Sequence, residues 1–253
     1  MDHREMQAGD HHYRAFVGPP LKYDLLGALQ FTLLTAAGLR EEHKLCDIGC
    51  GSLRAGKMLI PYLAPGNYYG LDPEKWLIEE SIKQELGQDL LALQKPQFEF
   101  NANFDLHAFK TKFDYLIAQS IFSHASLKQC EQAFKAVAQN IAPEGLFLTT
   151  FIWGEDDYQG EDWVYPGCVA YRPSTIKDLA WQSSGLKMQA CDWPHPNGQN
   201  WAVFYLPGHE NKAQVVSRFN LGAYAKDHEA IPGQGKKSRF KLFGDSFKSL
   251  IKK

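Results

Sequence analysis

Two short segments combine glycine and acidic residues in a spacing that suits ligand binding. Asp47-Ile-Gly-Cys-Gly-Ser52 follows an apolar run, and Asp72 ends the next apolar run, 21 residues after Gly51. Because parallel strands end at one edge of a sheet, both segments are expected to face one crevice. Gly49 and Gly51 let the backbone approach a ligand closely, and an aspartate after the second strand can accept both hydroxyls of a ribose. Together the two segments indicate an adenosine-type ligand.

The glycine segment departs from the dinucleotide-binding fingerprint G-x-G-x-x-G. That fingerprint needs a third glycine for tight packing of helix on strand, and this sequence has Arg54 there. The segment instead resembles the first motif of the class I S-adenosylmethionine-dependent methyltransferases, D-x-G-x-G, with Asp72 of Tyr69-Gly-Leu-Asp72 closing the second strand. The resemblance extends from about residue 45 to residue 206 and implies S-adenosyl-L-methionine as the cofactor.

The resemblance implies a role for each residue of the two motifs. Asp47 would face the amino group of the cofactor's methionine moiety, and Asp72 would hold the ribose. Gly49 and Gly51 would line the floor beneath the methionine moiety. A purely structural interpretation stays open, in which the glycines serve only a tight strand-to-helix turn and Asp72 only caps the next helix.

Two further turns are expected to complete the cofactor site. In this family the turn after the third strand flanks the adenine, which here indicates Asn103 or Phe104. The family often carries an acidic residue there, and this sequence has Asn103 in its place. The backbone after the fourth strand, including Ala118 and Gln119, would run beneath the cofactor.

His124 is the predicted catalytic residue. It follows the fourth strand, and the resemblance implies that Phe122 and His124 face the substrate there. Histidine has an ordinary pKa near neutrality and can remove the proton of a hydroxyl acceptor during methyl transfer. With an amine or thiolate acceptor His124 would only orient the substrate. A structural hydrogen bond within the loop is the alternative.

The connection after the fifth strand, residues 153–173, is the predicted substrate lid. It is longer than the ~2–6 residues usual for such a link, and long loops at this edge of a sheet commonly bind ligands. It carries five aromatic residues together with several acidic ones. Aromatic faces stack on sugar or planar rings. The predicted substrate-binding residues are Trp153, Tyr158, Trp163 and Tyr165, with coverage of the sheet end as the alternative role.

Two other segments are candidates for the same site. Residues 11–20 are dense in aromatic and cationic groups and could fold over the cofactor. His195 lies in a turn-rich connection that could reach the rim of the site. No metal is predicted, because the N-terminal histidines lack a carboxylate or cysteine at ligand spacing.

Alternating helices and strands are expected to position these residues. Apolar periodicity and glycine or proline punctuation predict an α/β fold, a doubly wound, mostly parallel seven-stranded sheet with a C-terminal antiparallel hairpin. The predicted strands are 44–48, 68–72, 98–101, 113–119, 145–152, 186–193 and 201–206. The predicted helices are 23–37, about 53–64, 74–86, 127–141 and 174–184. Ser126 and Gln129 are predicted to form a capping box at the start of the helix over 127–141.

Composition indicates a single-domain cytoplasmic protein. The 253 residues, 44% of them hydrophobic, can bury one large core without disulfides. Five scattered cysteines without a C-x-x-C pair favour a reducing compartment, and neither a signal peptide nor a membrane span is predicted. The expected organisation is an N-terminal segment over 1–22, an S-adenosylmethionine-binding methyltransferase domain over 23–207 and an extension over 208–253.

The charge is divided unevenly along the chain. Residues 236–253 hold seven Lys or Arg and one Asp, whereas the other residues hold 20 basic and 28 acidic side chains. An acidic body disfavours a site that grips a phosphate backbone. The basic tail has apolar residues at near-helical spacing and could make peripheral membrane contact with anionic lipid. Packing on the body, disorder and nucleic-acid contact are its alternatives.

The function predicted from these features is S-adenosylmethionine-dependent methyl transfer to a small molecule or glycan, at a hydroxyl. Two alternatives stay open. One is a nucleic-acid methyltransferase that uses the basic tail, and the other is a noncatalytic protein that binds S-adenosylmethionine. The sequence does not determine the oligomeric state.

Overall fold

A seven-stranded sheet forms the centre of the molecule, which a computed structural model describes over residues 5–217. The strands are β1 (Leu45–Ile48), β2 (Tyr68–Leu71), β3 (Gln97–Glu99), β4 (Phe113–Ala118), β5 (Ile141–Phe151), β6 (Lys187–Cys191) and β7 (Asn200–Tyr205). Their order is β3-β2-β1-β4-β5-β7-β6, and among these seven strands β7 runs in the direction opposite to the other six. The predicted fold class, including the C-terminal antiparallel hairpin, is confirmed.

Helices cover both faces of this sheet. Within residues 5–217 the α-helices are α1 (Tyr23–Ala36), α2 (Gly56–Tyr62), α3 (Lys75–Ser81), α4 (Gln88–Gln94), α5 (Leu127–Asn140), α6 (Pro173–Ser184) and α7 (Glu210–Ser217). Side chains of β1 alternate between two cores, because successive strand residues point to opposite faces. Cys46 lies in the core that contains Phe134 of α5, and Leu45 in the core that contains Leu33 of α1 and Leu59 of α2. None of these helices is both long and apolar enough to cross a membrane.

Helix α5 shows how local sequence determines an element that positions the site. Ser126 Oγ accepts a hydrogen bond from the backbone N–H of Gln129, and the Gln129 side chain accepts from the backbone N–H of Ser126, which forms the predicted capping box. Cys130, Phe134 and Val137 form the buried stripe of the helix. The start of α5 therefore fixes the end of the loop that follows β4.

Two predicted boundaries near the site differ from the structure. Helix α2 begins at Gly56 instead of residue 53, because residues 51–55 form turns in which Leu53 takes a φ of 55°. Strand β5 begins at Ile141 instead of residue 145. The chain passes directly from α5 into an irregular pairing of Ile141 with Phe113.

The helix predicted over residues 74–86 is also divided. It consists of α3 and a π-helical segment, Ile82–Leu86, that ends at Gly87 with a φ of 82°. Helix α4 follows at once and was not predicted. The division follows Leu77, the residue of α3 that lines the site described below.

The packed region includes α7, whose Ala213 and Val216 are buried in the core that contains Leu33. Residues 236–253 lie outside the described residues. The predicted membrane contact of that segment therefore stays a prediction.

Candidate active site

The carboxyl ends of β1, β2 and β4 open into one cavity of about 690 Å³. Among its lining residues are predicted cofactor-binding, catalytic and substrate-binding residues. These are Asp47, Gly49, Gly51, Asp72, Phe104, Gln119, His124, Trp163 and Tyr165. Asn103, Ala118, Trp153 and Tyr158 are not part of its wall.

The turn after β1 accepts only glycine at two positions. Gly49 and Gly51 have φ angles of 71° and 50°, in the left-handed region that side chains disfavour. A Cβ at Gly49 would overlap the side chain of Ile121, and one at Gly51 would lie 2.7 Å from Val17 Cγ1. The turn therefore brings bare backbone to the cavity.

Asp72 connects the ends of β1 and β2. Its Oδ2 accepts from the backbone N–H of Gly51 at 2.8 Å, and its Oδ1 accepts from that of Glu74 at 2.8 Å. Burial raises the pKa of this carboxyl to about 6, although both hydrogen bonds oppose the shift. Asp72 therefore holds the glycine turn and also lines the cavity, so the structural and the ligand-binding interpretations describe the same residue.

Asp47 is the second buried carboxyl of the cavity wall. Its Oδ2 accepts from the hydroxyl of Tyr68 at 2.9 Å. Burial raises its pKa to about 7, while the Tyr68 hydrogen bond and the positive charge of Arg54 act in the opposite direction. A cation placed beside Asp47 would favour its ionised form.

The turns after β3 and β4 present different residues from some of those predicted. Phe104, which has a φ of 57°, lines the cavity, whereas Asn103 is exposed to solvent. Ala118 is fully buried within β4, and the cavity is lined by Gln119 and Ser120 instead. The positive φ of Ser120, 61°, marks a sharp turn at the end of the strand.

His124 is held in one orientation at the cavity wall. It is 7% exposed, and its Nδ1 lies 3.0 Å from the carbonyl oxygen of Val164 and 2.7 Å from that of Gly167. Since both partners are acceptors, Nδ1 carries the hydrogen and Nε2 keeps a free lone pair. Burial lowers the pKa of His124, which favours the neutral ring. Phe122, in contrast, does not turn toward the substrate but stacks on Phe151 in the core.

The lid, residues 153–173, divides into two parts. Trp163 and Tyr165 line the cavity, with ring centroids 5.6 Å and 5.0 Å from that of His124. Trp153 stacks on Phe151 at 5.0 Å, and Tyr158 packs against the same core. The first pair is placed to meet a substrate, and the second pair covers the end of the sheet.

The N-terminal segment forms part of the cavity wall. Phe16 and Val17 line it, and the hydroxyl of Tyr165 donates to the carbonyl of Phe16. His11 stacks on Trp76 with a centroid distance of 4.6 Å. The expectation that residues 11–20 fold over the cofactor site agrees with this arrangement. No three His, Cys, Asp or Glu side chains within residues 5–217 are grouped to hold a metal.

Comparison with protein families gives a match to the family described as "Methyltransferase domain" over residues 46–147. That range runs from β1 into β5 and contains the glycine turn, Asp72 and His124. Together with the fold, this match shows that the chain contains a methyltransferase domain. The chain has the fold of the class I S-adenosylmethionine-dependent methyltransferases and is consistent with that family. It is therefore a methyltransferase, and its cofactor is S-adenosylmethionine.

Solved structures share the fold of this methyltransferase at low sequence identity. Streptomyces venezuelae DesVI is 13% identical, with a TM-score of 0.56 over 80% of this chain and 99% of its own. Magnesium protoporphyrin IX methyltransferase from Synechocystis PCC 6803, with bound S-adenosylhomocysteine (SAH), is 16% identical, with a TM-score of 0.53 over 72% and 84%. An S-adenosylmethionine-dependent methyltransferase from Clostridium acetobutylicum is 15% identical, with a TM-score of 0.54 over 74% and 92%. A search of curated proteins finds no match.

Sequence reasoning did not assign two polar residues of the methyltransferase cavity. Gln30 lies on the buried face of α1, and Arg54 lies just before α2, and both contact Gln119. A signal for Gln30 was present, since a lone glutamine interrupts the apolar stripe of α1. His195 lies behind this group, with its Nε2 2.7 Å from Gln119 Nε2, and burial lowers its pKa to about 4.

Proposed function

We propose that this methyltransferase transfers the methyl group of S-adenosylmethionine to a hydroxyl of a small molecule or glycan, with His124 as the general base. One observation carries the proposal. A neutral histidine with a free Nε2 lone pair lines the same cavity as the glycine turn after β1. A hydroxyl acceptor must lose a proton as it is methylated, and a positioned base adds roughly 10²–10⁴-fold to such a step.

The cavity wall fits the cofactor in shape and charge. The turn through Gly49 and Gly51 lines the cavity with backbone that carries no side chain. Asp72 has two further lone-pair positions beyond its hydrogen bonds to Gly51 and Glu74, so it can accept the two ribose hydroxyls. Phe104 offers an apolar face for the adenine. We assign these residues to cofactor binding on that basis.

The bound cofactor supplies a methyl group already activated by its sulfonium charge. The task left to the chain is to align the acceptor and exclude water, and alignment can supply roughly 7–11 kcal/mol of a barrier. Residues 16–19 cover the cavity above the glycine turn, and Trp163 and Tyr165 cover it beside His124. The carbonyls of Val164 and Gly167 keep His124 in the tautomer that can accept a proton.

The surroundings of His124 support this acceptor class. Trp163 is 43% exposed at the cavity mouth, so its ring can stack on a planar molecule or a sugar. One structural neighbour at 13% identity, from Burkholderia thailandensis, is an O-methyltransferase family protein with a TM-score of 0.52. It supports the choice of a hydroxyl acceptor. We also propose a cytoplasmic location, on the cysteine usage of the sequence.

The proposal is tested with isotopically methyl-labelled S-adenosylmethionine and a cell extract as the source of acceptors, with products identified by mass spectrometry. His124→Ala should lower turnover by roughly 10²-fold or more and leave the affinity for SAH unchanged. The wild-type rate should fall as the pH drops below the lowered pKa of His124, because the protonated ring cannot accept a proton.

The control is His195→Ala, because His195 lies behind Gln119 and does not line the cavity. It should retain most of the turnover. Full activity of His124→Ala would contradict the proposed base. A labelled product methylated on nitrogen or sulfur would contradict the proposed acceptor.

A further inference from the structure

Three side chains in the cavity wall form a hydrogen-bonded cluster, Gln30, Arg54 and Gln119. The side-chain oxygen of Gln119 accepts from Arg54 Nη2 at 2.5 Å and from Gln30 Nε2 at 2.8 Å. Arg54 Nη1 donates to the carbonyl of Val17 at 3.1 Å. The cluster therefore joins α1, the turn before α2, the end of β4 and the N-terminal segment.

Two atoms of this cluster lack partners among residues 5–217. Arg54 Nε has no acceptor, and Gln30 Oε1 has no donor. Both side chains are more than nine-tenths buried, with 8% of Arg54 and 5% of Gln30 exposed. Buried polar atoms in native proteins are nearly always paired, because an unpaired one loses its hydration without compensation. An unpaired donor and an unpaired acceptor in one cavity wall indicate a ligand that offers both.

The charge of Arg54 also indicates that a ligand binds at this cluster. No carboxylate within residues 5–217 lies at ion-pair distance from this guanidinium. A buried cation without a counter-charge is unfavourable, and its planar fork matches a carboxylate in two parallel hydrogen bonds. Asp47, on the same wall, is a buried carboxyl that a cation would help to ionise. The cavity wall is therefore suited to a ligand with an anionic group at Arg54 and a cationic group near Asp47.

We infer that this cluster recognises the α-amino acid group of the cofactor, with Arg54 binding the carboxylate and with Gln30 Oε1 and Asp47, which line the same cavity, accepting from the ammonium. The inference rests on the proposed function, because it places the methionine end of the cofactor in this cavity. It also gives a role to Arg54, the residue that stands where a dinucleotide fingerprint has its third glycine. Arg54 and Gln30 are positioning residues that set where the sulfonium lies relative to His124.

The experiment compares two ligands that differ only in the amino acid group. Calorimetry measures the affinity of wild type, Arg54→Met and Gln30→Leu for SAH and for 5′-methylthioadenosine, which lacks that group. Hydrogen bonds to charged groups are strong, so Arg54→Met should weaken SAH binding roughly 10- to 100-fold and Gln30→Leu about 5-fold. Affinity for 5′-methylthioadenosine should change less than about 2-fold in both variants. The matched control Arg40→Met removes an exposed arginine before β1 and should bind both ligands as wild type does.

The outcomes separate this inference from the proposed function. Equal weakening of both ligands by Arg54→Met would show a structural role and overturn the inference. Unchanged SAH affinity would also overturn it and leave a carboxylate of the acceptor as the partner of Arg54. A wild type that binds neither ligand would instead contradict the proposed function.

A second comparison decides the matter if Arg54→Met does not fold. Wild type should bind S-adenosylmethionine roughly 10-fold or more tighter than its decarboxylated form, which keeps the ammonium. Arg54→Lys keeps the charge but loses the planar fork, so it should narrow that ratio. An unchanged ratio in Arg54→Lys, or no preference in wild type, would overturn the inference.

Discussion

The two ends of the cavity are built from different kinds of side chain. The end formed by the turns after β1 and β2 carries the charged groups Asp47, Asp72 and Arg54 on short, hydrogen-bonded segments. The end formed by residues 163–168 and His124 carries aromatic rings and a neutral imidazole on a long loop. One end therefore presents ionisable side chains at set positions, and the other end presents ring faces.

This difference separates donor recognition from acceptor recognition. Buried charges reject any ligand that lacks the matching charge, because the unmatched group stays desolvated and unpaired. Ring faces bind through area and stacking, which many planar molecules and sugars satisfy. The charged end suits the one cofactor that the enzyme must bind in every turnover, and the aromatic end suits selection of the acceptor by shape.

The largest expected effect is at the glycine turn of the charged end. Gly51→Val should abolish measurable SAH binding, because the side chain would meet Val17 and strain a backbone with a φ of 50°. Calorimetry measures the loss. Gly66→Ala is the matched control, since Gly66 also has a positive φ, 84°, but faces open space. Normal SAH binding by Gly51→Val would mean that this turn is not the cofactor site.

A smaller effect is expected on stability at Asp47. Its pKa in the folded protein, about 7, lies above the ordinary 3.8, so the folded state loses stability from this group as the pH rises from about 3.8 to about 7. Asp47→Asn should therefore raise the free energy of unfolding at about pH 8.5 by up to ~4 kcal/mol, and by roughly half as much at about pH 5.5. Denaturant unfolding at both pH values measures it.

The same variant tests whether Asp47 serves ligand binding instead of the stability of the fold. Asp47→Asn should weaken SAH binding while it stabilises the free protein, because the ionised carboxylate serves the ligand and not the fold. His195→Asn is the control, since it alters a buried group outside the cavity wall. Equal stabilisation by Asp47→Asn at both pH values would show that Asp47 does not titrate near neutrality.

The smallest expected effect is at the aromatic end. Trp163→Ala should raise the KM for the acceptor about 10-fold, in line with loss of one stacking contact of ~1–1.5 kcal/mol, and should leave SAH affinity unchanged. Trp153→Ala should leave KM unchanged and lower the thermal midpoint, because Trp153 stacks on Phe151. Steady-state kinetics and thermal unfolding measure both. The reverse pattern would assign the acceptor contact to Trp153.

Features that depend on neighbouring residues were predictable from the sequence. The capping box of Ser126 and Gln129 requires only residues within one helical turn, and it was predicted correctly. The glycine turn was equally accessible, because a tight strand-to-helix turn demands glycine whatever packs around it. Asp72 was found because strands that run in parallel end at a common edge of the sheet.

Features that depend on contacts between distant segments were decided by the tertiary structure. The sequence does not distinguish Trp153 from Trp163, and the packing of the lid on the sheet end separates them. Asn103 and Phe104 are adjacent, and a single positive φ at Phe104 determines which one meets the cavity.

The cluster of Gln30, Arg54 and Gln119 shows most directly why such features depend on the folded structure. The sequence predicted the alternation of helices and strands and the glycine turn, because apolar periodicity and glycine placement are local properties, and its resemblance to a known family implied the cofactor. It showed Arg54 only as a departure from another motif. Gln30, Arg54 and Gln119 come from segments as many as 89 residues apart, and only folding brings their atoms within hydrogen-bonding distance. Hydrogen bonds and burial depend on those distances, so the unpaired atoms that mark the site exist only in the folded chain.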